Sequence, residues 1–315
     1  MTRPARRYRV ALLGNGIRAS LSPALHMEEA RHLGLDYEYR TVDLIDRTAV
    51  DLGAELGRLE DAGYAATNVT HPYKQTVLDH VTDLSPTVRR LGSANLVLFG
   101  AGRRTAHNTD CPGFRGALAT FLAAGGAAGT ALRTGTVLPT GTVLRTGTVL
   151  QVGAGGAGLA TVAALLDLGF RTVVVHDAVP AAVATLLDRF APVTSPRLLP
   201  SGGTLDTWLP RVDGVVHVTP VGMAEHPGVA FEVDRLDPAA WVAEVVYRPL
   251  ETELLRRARA RGLATLDGGG MAVGQAVESL RLITGLEPDT ARMHAHFRRL
   301  VAGPDTLAGP DPLEA

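Results

Sequence analysis

The chain has 315 residues, and 31 Lys plus Arg against 32 Asp plus Glu leave a formal net charge of −1. That balance excludes an electrostatic nucleic-acid binder, which would carry a basic face, while a 46% hydrophobic content is enough to build a substantial core. A single cysteine, Cys111, excludes an intramolecular disulfide and fits a reducing compartment.

Residues 8–13 form a short apolar run ending in Gly14-Asn15-Gly16, the pattern of a strand and a tight turn. Residues 23–33 have helical spacing, with Ser22 as the expected N-cap and Pro23 at the first helical position. A strand over 37–42, a helix over 50–62 and a strand over 66–69 follow. A helix is then expected to open at His71-Pro72 and run to about His80, before a strand over 96–99. Strands alternating with helices argue for a parallel or mixed α/β sheet.

The stretch from 123 to 147 breaks this rhythm. Thr-Gly-Thr-Val-Leu occurs three times, at 134–138, 140–144 and 146–150. Three short copies cannot build a β-solenoid alone, so they read as an expanded linker. Only the last copy runs directly into Gln151-Val152-Gly153, and it should form the next strand. Deleting one whole copy is therefore expected to leave specific activity nearly unchanged, and a deletion variant that no longer folds would refute the linker reading.

A second alternating series follows, with strands over 148–152, 172–176, 214–218 and 241–245 and helices over 158–168 and 180–190. Residues 251–261, 271–284 and 292–301 are helical by period, and 303–315, with Pro, Gly and acids, reads as a flexible tail. The basic N-terminus lacks a following apolar h-region, and the longest uncharged apolar stretch, 152–166, is too short to span a bilayer. The expectation is a cytoplasmic two-domain protein with no membrane or nucleic-acid partner. His26, His71, His107 and His217 show no metal-ligand spacing, so no metal is expected.

Gly153-Ala154-Gly155-Gly156-Ala157-Gly158 lies between an apolar strand and an apolar helix, the context that a dinucleotide fingerprint requires. The first glycine permits the turn, the second lets backbone approach a pyrophosphate, and the third lets helix and strand pack closely. The helix N-terminus adds N–H donors and a positive dipole end. An acidic residue is expected about 20 residues on, and Asp177 follows the second strand there. A carboxylate at that place accepts from the ribose 2′-OH of NAD and repels the 2′-phosphate of NADP, and no Arg or Lys stands between Asp177 and Leu187 to offset it. NAD is the expected cofactor.

Thirty arginines accompany one lysine, Lys74. Arginine stays protonated and serves for surface charge, but it cannot transfer a proton near neutral pH. Lys74 lies in Asn68-Val-Thr70-His-Pro-Tyr-Lys74, where a strand gives way to a helix, and Asp110 lies in Asn108-Thr-Asp110-Cys-Pro-Gly113. With Ser20-Leu-Ser22-Pro-Ala-Leu-His26, Gly92-Ser-Ala-Asn95, Thr219-Pro220-Val-Gly222-Met223, Val246-Tyr247 and Gly270-Met-Ala-Val-Gly-Gln275, these motifs resemble the shikimate dehydrogenase family from about Val10 to Leu300. The wording around His71-Pro-Tyr-Lys-Gln75 and Glu251-Thr-Glu-Leu-Leu255 is most similar to the NAD-dependent quinate/shikimate dehydrogenase branch. Asp177 agrees, since NADP-using relatives tend to carry Asn-Arg at that turn.

The resemblance implies an α/β fold: an N-terminal α/β substrate domain (1–113, completed by helices in 267–302) plus a Rossmann-type doubly wound dinucleotide-binding domain (114–266, with the linker 123–147). It implies hydride transfer from C3 of quinate or shikimate to NAD, with a proton relay through Lys74 and Asp110 as the catalytic pair. Ser20 and Ser22 would donate to the substrate carboxylate, and Thr70, Asn95, Asp110 and Gln275 would hydrogen-bond the ring hydroxyls, with Tyr247 also against the substrate. Thr219, Pro220, Gly222 and Met223 would join the fingerprint at the cofactor. A homodimer stays open, as do an amino-substituted substrate and a ligand-sensing regulator that has lost catalysis. Leu96 after Asn95, Met27 after His26 and Glu244 before the Val-Tyr pair depart from the family's pattern.

Overall fold

The computed structural model describes residues 7–125, 145–191 and 197–303. β1 (Arg7–Gly14), α1 (Ser22–His32), β2 (Asp36–Asp43), α2 (Leu52–Asp61) and β3 (Ala66–Val69) make two successive βα units with parallel strands. β4 (Asp83–Leu84), α3 (Pro86–Leu91), β5 (Leu96–Gly100) and β6 (Arg103–His107) follow, with β5 antiparallel to both β3 and β6. The sheet is therefore mixed, in the order β2-β1-β3-β5-β6-β4. Its inner strand β3, Ala-Thr-Asn-Val, is buried at every position, including the polar pair Thr67 and Asn68 in its middle.

α4 (Asp110–Ala123) leads to a second sheet built from β7 (Arg145–Val152), α5 (Gly156–Asp167), β8 (Phe170–His176), α6 (Pro180–Phe190), β9 (Arg197–Pro200), β10 (Gly214–His217), β11 (Trp241–Glu244), α7 (Glu253–Ala260) and β12 (Ala264–Leu266). All its strand pairs are parallel. The order β9-β8-β7-β10-β11-β12 is the doubly wound 3-2-1-4-5-6 arrangement, with its switch point between β7 and β10. α5 is buried from Gly158 to Leu166, as expected of a helix that is apolar all round. No described helix is long and apolar enough to cross a membrane.

α8 (Gly269–Thr284) and α9 (Thr290–Ala302) return to the first sheet. Arg292 of α9 clamps the buried Glu29 of α1 through Nε (2.7 Å) and Nη2 (2.6 Å). α8 crosses α4 at a pair of glycines. A β-carbon on Gly113 would lie 2.6 Å from the Gln275 nitrogen, and one on Gly274 2.8 Å from the Gly113 Cα. This backbone-to-backbone approach sets Gln275 against the first turn of α4, where Asp110 stands.

Two local expectations need correction. Ser22 is not the N-cap of α1; Leu21 holds that position, and the Ser20 hydroxyl accepts instead from the Ser22 N–H at 3.3 Å. The stretch from His71 does not form a helix to His80. Residues 71–75 are turns around a cis His71–Pro72 bond, and only Thr76–His80 forms a short 3-10 helix. The backbone groups there are used elsewhere: His71 O accepts from Asn15 N (2.9 Å) and Lys74 O from Ala94 N (2.7 Å). β7 does take in the third repeat copy, whereas the first two copies, and the tail beyond Gly303, lie outside the described residues.

Candidate active site

Lys74 is held by its own carbonyl against the loop that carries Asn95. Its ammonium donates to Asp110 Oδ2 at 2.6 Å, and the two side chains are 18% and 6% exposed. The pair thus keeps a narrow opening to solvent while excluding most of it. Asp110 is the first residue of α4, where unpaired N–H groups and the helix dipole favour a carboxylate. Asn95 Nδ2 donates to Asp110 Oδ1 (2.9 Å) and to Thr109 Oγ1 (2.8 Å), while its Oδ1 accepts from Thr109 N (2.7 Å). The side-chain amide of Asn95 is therefore committed to orienting Asp110.

The chain of bonds continues inward. Ser279 Oγ of α8 lies 3.2 Å from Thr109 Oγ1 and accepts from Asn68 Nδ2 at 3.0 Å, and Asn68 Oδ1 accepts from Tyr39 at 2.8 Å. All of these groups are buried, and buried polar groups of this kind keep hydrogen-bond partners. The network pins β2, β3, α4 and α8 to one another around the Lys74–Asp110 pair. Thr70 is half-buried two residues beyond Asn68, and Gln275 lies one turn before Ser279 on α8. Arg248 donates to Ala19 O, which brings the Tyr247 loop beside Ser20. Tyr247 packs partly into the apolar cluster that includes Leu25 and Phe297. Of the predicted substrate residues, Thr70, Asn95 and Gln275 thus lie on or next to the elements that this network joins, Ser22 opens α1, and Ser20 lies beside the Tyr247 loop. Cys111 is buried, and burial pushes its thiol up to about 11, which removes it from nucleophilic chemistry near neutral pH.

The fingerprint faces this pair. Gly153 has φ +118°, and a β-carbon there would lie 2.6 Å from Val218 O, so backbone is left bare at the switch point. A β-carbon on Gly158 would lie 2.7 Å from Gly153 O, fixing the approach of α5 to β7. Gln151 staples the turn: its Nε2 donates to Gly153 O and Gly158 O, both at 2.9 Å, and Thr161 donates to its Oε1 at 2.7 Å. Gly156 opens α5, and its β position lies 3.5 Å from Lys74 Cβ. The turn that would cradle a pyrophosphate therefore rests on the stem of the lysine. Asp177 Oδ2 accepts from Ala154 N (2.7 Å), and its Oδ1 from Val179 N (2.8 Å), placing the carboxylate at the end of β8 beside the glycine turn. These residues fit a dinucleotide: bare backbone, a helix N-terminus and an acidic acceptor in the expected order.

Beyond the fingerprint, Thr219, Pro220, Gly222 and Met223 form an exposed-to-half-buried loop after β10, with Gly222 at φ +99°. Under it lie two groups that sequence reasoning did not place in the site. His217 Nδ1 is 2.9 Å and 3.0 Å from the two oxygens of Glu244, and its Nε2 is 2.5 Å from Thr219 Oγ1. Thr109, Ser279 and Gln151 were missed as well. The signal available for Gln151 and Ser279 was an uncharged polar residue inside an otherwise apolar strand or helix.

A family model described as the shikimate dehydrogenase substrate binding domain matches residues 12–97. A Streptomyces avermitilis protein named shikimate dehydrogenase (NADP(+)) is 48% identical over 304 residues, covering 93% of this chain and 96% of the relative. The chain belongs to the shikimate dehydrogenase family. Membership makes it an oxidoreductase whose cofactor is a nicotinamide dinucleotide. A Corynebacterium efficiens relative named quinate/shikimate dehydrogenase (NAD(+)) is 40% identical over 299 residues, covering 92% of this chain and 98% of the relative. The solved quinate dehydrogenase from Corynebacterium glutamicum in complex with NAD superposes with a TM-score of 0.80 at 36% identity, covering 93% of this chain and 99% of that one. Family members with both cofactor names are thus similar to this chain.

Proposed function

We propose that this chain is an NAD-dependent dehydrogenase interconverting quinate or shikimate with the 3-dehydro form. The observation that carries the reading is the Lys74–Asp110 pair at 2.6 Å, set directly beneath Gly156 of the dinucleotide turn. When bound, the nicotinamide supplies the hydride acceptor. The residues of the chain do the rest. Lys74 Nζ, as the neutral amine, takes the proton of the C3 hydroxyl in oxidation and, as the ammonium, returns it in reduction; Asp110 holds the side chain in place through its Oδ2, and Asn95 holds Asp110. Ser20 and Ser22 receive the ring carboxylate, while Thr70, Gln275 and Tyr247 fix the ring so that C3 faces Lys74. In this reading residues 1–113 with 267–302 bind the substrate and 114–266 bind the dinucleotide.

Asp177 supports NAD over NADP. A 2′-phosphate would meet its carboxylate, and the next basic residue along α6, Arg189, is spent on the carbonyls of Arg89 and Arg90, both at 3.2 Å. Like-charge juxtaposition costs several kcal/mol, so kcat/KM is expected to favour NAD by about a hundredfold or more. Initial rates with NAD and NADP on quinate, shikimate and their amino-substituted analogues test both claims. Equal efficiency with the two cofactors would overturn the role of Asp177. Ligand binding without turnover across the whole panel would make the protein a sensor instead.

A further inference from the structure

His217 and Glu244 end β10 and β11 and stand opposite each other in register. Their side chains are essentially inaccessible, at 1% and 0%. β10 borders the switch point of the sheet, so the pair lies beneath the carboxyl-end crevice in which a doubly wound sheet takes its ligand. A buried ion pair or charge-assisted pair is weak evidence of stabilisation by itself. What it does to its neighbours is more informative.

The hydrogen positions follow from the partners. Glu244 Oε1 accepts from Val245 N (2.8 Å) and Val246 N (2.9 Å), and its Oε2 accepts from Thr252 Oγ1 (3.2 Å). A carboxylate has only acceptors to offer, so the ring hydrogen of His217 sits on Nδ1. A neutral imidazole that donates from Nδ1 presents a lone pair at Nε2, whereas an imidazolium donates from both nitrogens. With the neutral ring, Thr219 Oγ1, 2.5 Å away, gives its hydrogen to that lone pair. The same oxygen accepts from Val221 N at 3.2 Å, which leaves one lone pair for the cleft. We propose that Glu244 and His217 are positioning residues that fix Thr219 as a hydrogen-bond acceptor toward a donor on the nicotinamide half of the dinucleotide. That donor is the carboxamide NH2 or a ribose hydroxyl. The inference rests on the dinucleotide reading above and adds the polarity of one contact to it.

Glu244→Gln is the discriminating change, because it keeps the shape and reverses the polarity. The amide oxygen, in the Oε1 place, still accepts from Val245 and Val246, while the NH2, in the Oε2 place 3.0 Å from Nδ1, opposes a hydrogen on Nδ1 and favours the tautomer that carries it on Nε2. Thr219 must then accept from the ring and turn its own hydrogen toward the cleft. NADH titrated into the full chain and followed by its fluorescence is expected to bind about tenfold more weakly to Glu244→Gln and to Thr219→Val. Thr219→Ser, which keeps the acceptor, should bind as the parent does. The double variant should be no weaker than Thr219→Val alone, since both changes remove one contact. The reduced 3-acetylpyridine analogue, which lacks the NH2, separates the donors. Parent affinity that drops for the analogue, with no further loss in Thr219→Val, identifies the carboxamide; equal losses for both nucleotides in Thr219→Val identify the ribose. Unchanged NADH affinity in Glu244→Gln, or losses that add fully in the double variant, would overturn the proposal. If Glu244→Gln does not fold, His217→Asn is read by the same criteria. A parent protein that binds no NADH would instead remove the dinucleotide reading itself.

Discussion

Replacing Lys74 by arginine is expected to leave the fold and dinucleotide binding intact and to lower turnover by about 10²–10⁴-fold, the usual contribution of a positioned proton-transfer group. The substitution keeps the positive charge and so keeps Asp110 paired. What it removes is the ability to release a proton near neutral pH, which a guanidinium lacks. The site also constrains size. The lysine stem is packed 3.5–3.6 Å from the β position of Gly156, and its ammonium is bonded at 2.6 Å to a carboxylate that Asn95 already holds from the other side. NADH formation with saturating substrate measures the loss, while NADH fluorescence titration reports whether the cofactor still binds. Near-normal turnover with intact binding would assign proton transfer to another group. Loss of NADH binding would show that arginine had displaced the glycine turn, and Lys74→Met, smaller and without charge, would then separate shape from proton transfer.

The reach of the sequence is uneven, and the reasons are physical. Elements bounded by local chemistry were legible: α6 runs from Pro180 to Phe190 as its period and opening proline predict, and β1 stops where Gly14-Asn15-Gly16 demands a turn. α4 was not legible, because Cys111-Pro112-Gly113 looks like a break. Proline is tolerated in a first helical turn, where its missing N–H would have no partner, and Gly113 is required by the helix that crosses it. β4 is two residues long, and β6, Arg-Arg-Thr-Ala-His, has one fully buried position; neither carries enough apolar pattern to be seen. The catalytic candidates were found because each sits in a motif with its own local wording. Thr109, Ser279 and Asn68 act through partners up to 211 residues away, and no local pattern encodes such a pairing. Glu244 was noticed only as a departure, since its meaning depends on His217 in the adjacent strand.

Acid sensitivity provides a second large expected effect, and it originates at His26. The ring is fully buried on α1, with Nδ1 at 3.1 Å from the Tyr37 hydroxyl, a ring centroid 4.9 Å from that of Tyr39, and Nε2 without a hydrogen-bond partner. Burial without a compensating anion holds its pKa down to about 3, against the ordinary 6.5. The unfolded chain therefore takes up a proton over a range in which the folded chain refuses it. Stability from this group is complete above about pH 6.5 and is lost progressively as pH falls toward 3, at about 1.4 kcal/mol per unit. His26→Phe removes the titration but also strands the Tyr37 hydroxyl, at a cost of about 1–2 kcal/mol at neutral pH. The two proteins should then behave oppositely: the parent is more stable at pH 7.5, and its advantage shrinks and reverses on acidification. Denaturant midpoints measured from pH 8 to 4.5 give the difference directly, with every other titrating group common to both proteins. Parallel stability curves would mean that His26 takes up its proton in the folded state as readily as in the unfolded chain, and so is charged there below about pH 6.5. In that case the polar chain from Tyr39 through Asn68 to Thr109 would rest beside a buried cation.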